Sequence, residues 1–182
     1  MVDPPHVVPA QVVTYTIGYG RPAHAGRLRE IERAASVRFR GIGMGAIADN
    51  EPTPASIIED RATLRRLLVA CDGTGGLAGF LIWSPKDGLA YIEEVSVDPA
   101  HAGHRLAGRM IDRLCADVRA HFDRVSLATF RDVPWNAPYY AKLGFVEAQT
   151  NLGPDHDETW RHQAVHLDMS RRLFMTRSTG AR

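Results

Sequence analysis

The stretch "VDPAHAGHRLAGRM", residues 97–110, leads from an apolar, strand-like segment through a proline and several small residues into a helical pattern. A helix begins with backbone N–H groups that have no partner inside the helix, and the aligned peptide dipoles add partial positive charge at that end. Small residues allow a phosphate to approach this backbone closely. The small residues could equally serve only to pack the helix on a sheet, and taken alone the stretch favours that simpler interpretation.

The composition is that of one ordinary globular domain with little net charge. The 182 residues can bury a single core, and 22 Lys plus Arg against 21 Asp plus Glu leave a net charge of +1. Non-specific nucleic-acid binding requires a basic surface, so no nucleic-acid partner is expected. The longest apolar runs, such as "LAGFLIW", are shorter than the ~20 residues that cross a bilayer, and the first residues lack a signal pattern. We therefore expect a cytoplasmic protein without a membrane partner.

Cysteine and histidine spacing gives no support for a metal site. Cys71 and Cys115 are far apart and lack metal-type spacing, which also argues against a disulfide framework. His162 and His166 have the spacing of a helical metal pair, but no third ligand accompanies them. No metal is expected.

Apolar periodicity predicts a strand and two helices in the first third of the chain. Residues 12–20 are rich in β-branched and aromatic types, and 23–39 place apolar residues at helical spacing. Residues 40–54, with three glycines and two prolines, predict a long loop. A short helix should follow from Pro54 or Ser56, with Ser56 and Glu59 forming a capping box.

The remaining pattern predicts an antiparallel meander followed by alternating strands and helices. Three strands separated by "GTGG" and "PKDG" turns precede an amphipathic helix that starts near 104. Further strands are predicted at 124–130, in "FVEAQ" and in "RRLFMTR", with helices in "APYYAKLG", capped by Gly144, and "DHDETWRHQAVHLD". The fold class is α/β (α+β), with a mixed, mostly antiparallel sheet of about six to seven strands flanked by helices on both faces. We expect one domain over 12–177, with disordered tails at 1–11 and 178–182.

Two motifs in the expected order resemble the GNAT superfamily of N-acetyltransferases. They are "VSVDPAHAGHRLAGRMIDRL" and, some thirty residues later, "NAPYYAKLGF", and residues 89–146 carry the close resemblance. In that superfamily the turn in the first motif binds the pyrophosphate of acetyl-CoA. The resemblance therefore implies acetyl-CoA as co-substrate and transfer of its acetyl group to an amine.

The turn departs from the superfamily pattern at two positions. Ala102 replaces a usual Gln or Arg, and Arg105 replaces a usual glycine, whereas Gly103 and Ala107 match. Arg105 would strain the turn if a left-handed backbone torsion were required there. We expect Arg105 to adopt a right-handed helical conformation instead.

The resemblance implies three catalytic candidates. Tyr140 occupies the position of the general acid, which would protonate the leaving thiolate. An adjacent acidic pair lies in the strand before the turn, and strict alternation puts Glu93 and Glu94 on opposite faces, so that only one can face a cleft. The resemblance favours Glu93 as base or anchor of a water relay, with Glu94 as second choice.

The resemblance also implies a set of binding residues. The cofactor-binding candidates are Val95, Ser96, Val97, Gly103, His104, Arg105, Leu106, Ala107, Gly108 and Asn136. The candidates for the wall of the acceptor site are Phe130, Asp132, Trp135 and Met44.

The predicted function is direct acetyl transfer from acetyl-CoA to a primary amine of a small molecule. A non-catalytic acyl-CoA-binding sensor or partner subunit is the alternative, because the phosphate-binding turn is altered. Retention of Tyr140 and of the acidic pair argues against that alternative. The superfamily is often dimeric, so a homodimer is expected.

Overall fold

The computed structural model describes residues 14–149 and 151–180, and the predicted tail at 1–11 lies outside them. They form a seven-stranded sheet with the order β1-β2-β3-β4-β5-β7-β6. Every neighbouring pair is antiparallel except β4 and β5, which are parallel. The strands are β1 (Thr16–Tyr19), β2 (Leu67–Cys71), β3 (Leu77–Lys86), β4 (Leu89–Val97), β5 (Arg124–Phe130), β6 (Val146–Glu147) and β7 (Arg172–Ser178).

Helices cover both faces of this sheet, and the predicted architecture is confirmed. The α-helices are α1 (Ala25–Ser36), α2 (Gly45–Ala48), α3 (Ala55–Thr63), α4 (Leu106–Val118), α5 (Ala137–Lys142) and α6 (Pro154–Gln163). Helices α1 and α3 pack against Phe80 and Ile82 on one face. Helix α4 packs on the other face, where the predicted stripe of Leu106, Met110, Leu114 and Val118 is buried. None of the described helices is long and apolar enough to cross a bilayer.

Several element boundaries differ from those predicted. The expected loop at 40–54 contains the end of a 3-10 helix, Val37–Ile42, and the short helix α2. Helix α3 begins after Pro54, and the capping box predicted at Ser56 is absent because Ser56 lies inside the helix. The predicted tail begins too early, because β7 includes Ser178 and Thr179 is buried with its hydroxyl donating to the Phe122 carbonyl.

An extra residue in β4 separates that strand from β5. Ile82 pairs with Glu94 whereas Trp83 pairs with Ile92, so Glu93 has no partner in β3 and forms a β-bulge. The pairing of β4 with β5 covers only Ala90 to Ile92, although β4 continues to Val97. Residues 95–97 therefore have no pairing with β5, and the sheet is open at this end.

At the other end of β4, a buried polar cluster fixes helix α6. Asp87 and Gly88 have φ of 47° and 74°, as a two-residue type I′ hairpin requires. The Asp87 carboxylate accepts hydrogen bonds from the His156 amide at 2.9 Å and lies 2.7 Å from His156 Nδ1. The opposite nitrogen, His156 Nε2, lies 3.0 Å from the Ser126 hydroxyl, and both residues are fully buried. This cluster joins the β3–β4 hairpin, β5 and α6.

Asp87→Asn should lower the free energy of unfolding by about 2 kcal/mol, because the substitution removes a charged acceptor from a buried hydrogen-bond group. Asparagine is tolerated in this turn, so the effect isolates the carboxylate. Denaturant unfolding of Asp87→Asn and of Glu158→Gln, an exposed carboxylate on α6, the helix that Asp87 anchors, measures the difference. Equal stabilities of the two variants would contradict the anchoring role of Asp87.

Candidate active site

Two cavities flank the splayed part of β4 and meet at Tyr140. The first, of about 590 Å³, follows the turn before α4, and we call it the turn groove. The second, of about 320 Å³, lies among α1, β4, β5 and β7, and we call it the inner cavity. Both are lined by Ala35, Arg38, Val95, Trp135 and Tyr140.

The turn before α4 contains two left-handed residues. Gly103 has φ of 83°, and Arg105, the N-cap of α4, has φ of 56° and ψ of 27°. The expected right-handed conformation of Arg105 is therefore wrong. A residue with a Cβ atom costs roughly 1–2 kcal/mol in this region, and glycine does not. In compensation, Arg105 lines the turn groove and contributes a positive charge there.

Consecutive backbone amides at this turn are free to bind a ligand. Within the described residues, the amides from Gly103 to Ala107 have no hydrogen-bond acceptor in the main chain or the side chains. The first amides of a helix have no acceptor within it, and a run of unpaired amides beside an open groove suits an anion. The observed backbone thus fits a diphosphate group.

Most of the predicted cofactor-binding residues line the turn groove. The groove is lined by Val95, Val97, Gly103, Arg105, Leu106 and Ala107. His104 instead packs its ring on Tyr15, with the centroids 4.9 Å apart, and Gly108 lies close to Leu143, which follows α5. Ser96 and Asn136 lie in the inner cavity, where the Asn136 carbonyl accepts from the amides of α5 and its side chain makes no cap.

Tyr140 presents a protonated hydroxyl where the two cavities meet. Its ring packs against Tyr139 and Phe145, with centroid distances of 5.6 and 5.7 Å. Burial raises the pKa of the phenol, and the negative charge of Glu94 raises it further. The Tyr140 hydroxyl has no hydrogen-bond partner among the described residues. It therefore remains protonated over the neutral pH range and is free to donate.

The bulge changes the expected positions of the acidic pair. The strict alternation predicted for Glu93 and Glu94 does not hold, because Glu93 is the extra residue. Glu93 accepts from Arg61 of α3 at 2.9 Å, which leaves it engaged in an ion pair. Glu94 lines the inner cavity and accepts from the Ser96 hydroxyl at 2.7 Å. Burial raises the pKa of Glu94, whose carboxylate has no ion-pair partner among the described residues.

A second partly buried carboxylate, Glu32, was not predicted. It lies on α1, accepts from the Thr53 amide and hydroxyl at 3.1 Å, and lines the inner cavity. Burial, together with the charge of Glu94, raises the pKa of Glu32 to about 8. Its position offered a signal, because Glu32 falls on the apolar stripe of α1, four residues after Leu28 and three before Ala35.

Two arginines of the inner cavity were also missed. Arg38 lies over the Trp135 ring, 5.0 Å from its centroid, and Arg172 lies over the Phe130 ring at 4.6 Å. Arg172 donates to the Gln163 side chain at 3.1 Å. Arg38 lies at the end of the first predicted helix and Arg172 near the start of the last predicted strand, and nothing in their spacing indicated that these two elements meet at one cavity.

The four predicted acceptor-wall residues have different positions. Phe130 and Trp135 line the inner cavity, and the Trp135 indole N–H is buried without a partner in the described part of the chain. Met44 instead packs in the core beside Phe130 and Val133. Asp132 is exposed and accepts from Arg171 at 2.8 Å, outside both cavities.

Residues 28–145 match the family model described as the acetyltransferase (GNAT) family. Mycothiol acetyltransferase from Kineococcus radiotolerans is 34% identical over 86 residues, which span 47% of this chain and 28% of that protein. The PaiA N-acetyltransferase of Thermoplasma acidophilum, solved with coenzyme A, has a TM-score of 0.66 at 13% identity, covering 91% of this chain and 99% of that one. A ribosomal-protein alanine N-acetyltransferase of Escherichia coli has a TM-score of 0.61 at 16% identity, covering 91% and 94%.

Arg105→Gly should raise the free energy of unfolding by about 0.5–1 kcal/mol, because glycine removes the strain of the left-handed N-cap. Arg119→Gly, at the right-handed C-cap of the same helix, should instead lower it. Denaturant unfolding of both variants beside the wild type measures the two changes. A loss of stability in Arg105→Gly as large as that in Arg119→Gly would contradict the strain at residue 105.

Proposed function

Because this chain belongs to the GNAT acetyltransferase family, we propose that it transfers the acetyl group of acetyl-CoA to a primary amine of a small molecule by direct attack. The observation that carries the proposal is the meeting of two cavities at Tyr140. One cavity suits a long ligand with a diphosphate, and the other holds carboxylates that can act on an amine. The reaction would take place where they join.

The turn groove would bind the CoA portion. The free amides from Gly103 to Ala107 and the charge of Arg105 would hold the diphosphate. The main chain of β4 beyond the bulge would bind the pantetheine arm, because that edge has no partner strand. When bound, acetyl-CoA supplies an activated acetyl group in the form of a thioester.

Two proton transfers accompany the reaction, and Glu94 would act as the base and Tyr140 as the acid. Glu94 takes the proton that the amine loses as its nitrogen forms a bond to the acetyl carbon. Tyr140 donates a proton to the thiol sulfur as the carbon–sulfur bond breaks. Glu93, the first choice from the resemblance, is held by Arg61, so Glu94 is the better candidate for the base.

The pKa shifts of both groups suit these roles. A base works best when its pKa is close to the working pH, and burial moves the Glu94 pKa upward in that direction. An acid must still hold its proton when the thiolate leaves, and the raised pKa of Tyr140 keeps the phenol protonated. The two groups line one cavity, as concerted acid and base require.

The size of the inner cavity favours a small acceptor. Its volume of about 320 Å³ is at the low end of ligand pockets in proteins. The lining comes from α1, β4, β5 and β7 together with residues of α2, α5, α6 and the loop around Pro52, so that protein surrounds the space on several sides. The sensor alternative predicts CoA binding without turnover, and the next experiment distinguishes it from the acetyltransferase proposal.

Tyr140→Phe should lower kcat for amine acetylation by about 100-fold, because the leaving thiolate loses its proton donor. CoA release across a panel of small amines measures kcat, and CoA titration measures binding. The dissociation constant for CoA should change less than about threefold, since only a hydroxyl is removed from the meeting point of the cavities.

Tyr19→Phe is the matched control, because its hydroxyl donates to Asp117 away from both cavities. Unchanged turnover in Tyr140→Phe would remove Tyr140 from the acid role. CoA binding with no turnover of any amine in the wild type would support the sensor alternative instead.

Ser96→Ala should move the acid limb of the kcat/KM pH profile to higher pH, by up to about one unit. The Ser96 hydroxyl donates to the charged Glu94 and lowers its pKa, so its removal raises that pKa. A base acts only when deprotonated, and the rate then rises at a higher pH. The ionisable groups around Glu94 include Glu32, Arg38, Arg172 and Tyr140, all of which stay in place.

Thr53→Ala removes the corresponding hydroxyl from Glu32 and serves as the control. Its profile should match that of the wild type if Glu94 is the base. A shift in Thr53→Ala with none in Ser96→Ala would assign the base to Glu32.

A further inference from the structure

The far wall of the inner cavity contains an arginine without a counter-ion. Arg172 begins β7 and lines the cavity, partly buried. Its Nη2 donates to the Gln163 oxygen at 3.1 Å, and its Nε is sealed from solvent without a partner in the described residues. No carboxylate of those residues lies within ion-pair distance of its guanidinium. A partly buried charge without a counter-ion destabilises the fold unless a ligand of opposite charge binds to it.

The guanidinium is held rigidly in one orientation. It lies over the buried Phe130 ring, 4.6 Å from the centroid, and the Gln163 contact fixes its rotation. A preoriented guanidinium loses little side-chain entropy when it binds an anion. The Nη1 group makes no hydrogen bond to the described residues and is not sealed like Nε, so a ligand oxygen can reach it.

The other charges of the cavity leave it positive near neutral pH. Arg38 also lacks an ion-pair partner among the described residues. Glu32 is largely uncharged at neutral pH, because its pKa is raised to about 8. Among the described lining residues without an ion pair, two guanidinium groups therefore face one carboxylate, that of Glu94, and an acceptor that carried only positive charge would add to this excess.

We propose that the acceptor is a small amine that also carries a carboxylate, and that Arg172 binds the carboxylate while the amine faces Glu94 and Tyr140. The inference rests on the proposed function and names its substrate class. Guanidinium and carboxylate groups form strong charge-assisted hydrogen bonds. Arg172 and Tyr140 line the same cavity from different elements, so the two ends of one ligand can contact both.

A purely internal role for Arg172 makes a different prediction. If Arg172 served only to favour the charged form of Glu94, its removal would slow all amines alike, with or without a carboxylate. Recognition of the ligand carboxylate instead changes the ratio between two amines that differ in that group. The ratio is measured within one enzyme preparation, so a loss of folded protein cancels.

The experiment compares alanine, leucine, glutamine, lysine and phenylalanine with their carboxamides. CoA release gives kcat/KM for each member, and the wild type should favour the carboxylate in at least one pair by about ten- to a hundredfold. The carboxamide has the less basic amine, so this preference runs against intrinsic reactivity. Arg172→Met should bring that ratio close to one, mainly through KM.

Arg131→Met is the matched control, because Arg131 is exposed and pairs with Glu147 outside both cavities. It should keep the wild-type ratio. Arg172→Lys keeps the positive charge but loses the planar set of N–H donors that can bind both carboxylate oxygens, and it should give an intermediate ratio of the two kcat/KM values. If Arg172→Met does not fold, the wild-type ratio and Arg172→Lys still decide the question.

Equal kcat/KM for both members of every pair in the wild type would overturn the inference and leave the acetyltransferase proposal standing. The same holds if other amines are acetylated and no amino acid is. A ratio that Arg172→Met leaves unchanged would also overturn it. If CoA binds and no amine is turned over, the proposed function fails and this inference fails with it.

Discussion

The bulge at Glu93 determines where β4 can pair, and both cavities depend on it. With one extra residue on β4, the strand turns away from β5 after Ile92. The turn groove then reaches a strand edge with unused hydrogen-bonding groups, and Glu94 faces the inner cavity. A regular β4 would pair with β5 along its length and close the space between the cavities. The site is therefore a consequence of sheet geometry more than of any single catalytic side chain.

The inner cavity concentrates ionisable groups that a core normally excludes. Among the charged residues around this space, Glu32, Glu94, Arg38 and Arg172 have no direct ion-pair partner in the part of the chain that the structure describes. Each charge alone would be unfavourable when removed from water. Their pKa values shift in the directions that reduce this cost, with the acids raised and the Arg172 guanidinium lowered by burial. Such an arrangement lowers the stability of the fold, and strongly shifted pKa values of this kind are typical of functional sites.

The sequence predicted the elements that have local patterns and missed the contacts that only the fold creates. The stripe on α4, the Gly144 cap and the β2–β4 meander each depend on periodicity or on a turn residue within a few positions. The bulge was not predicted because the sequence of β4 is compatible with a regular strand. Only its pairing with β3 shows that one residue is extra. The role of Arg172 was missed because it depends on how β7 and α6 pack beside the cavity, and sequence spacing does not show that packing. Arg105 was misassigned because its torsion follows from the path of the turn.

The Asp87 cluster connects the hairpin tip to the wall of the inner cavity. It fixes the start of α6, and the end of α6 supplies Gln163, which orients Arg172. The turn groove has no lining residue from α6. Substitutions in the hairpin can therefore change the selectivity for the acceptor without changing the affinity for the cofactor. In a lineage that diversifies its substrates, changes in selectivity would be expected to accumulate at positions far from the reacting atoms.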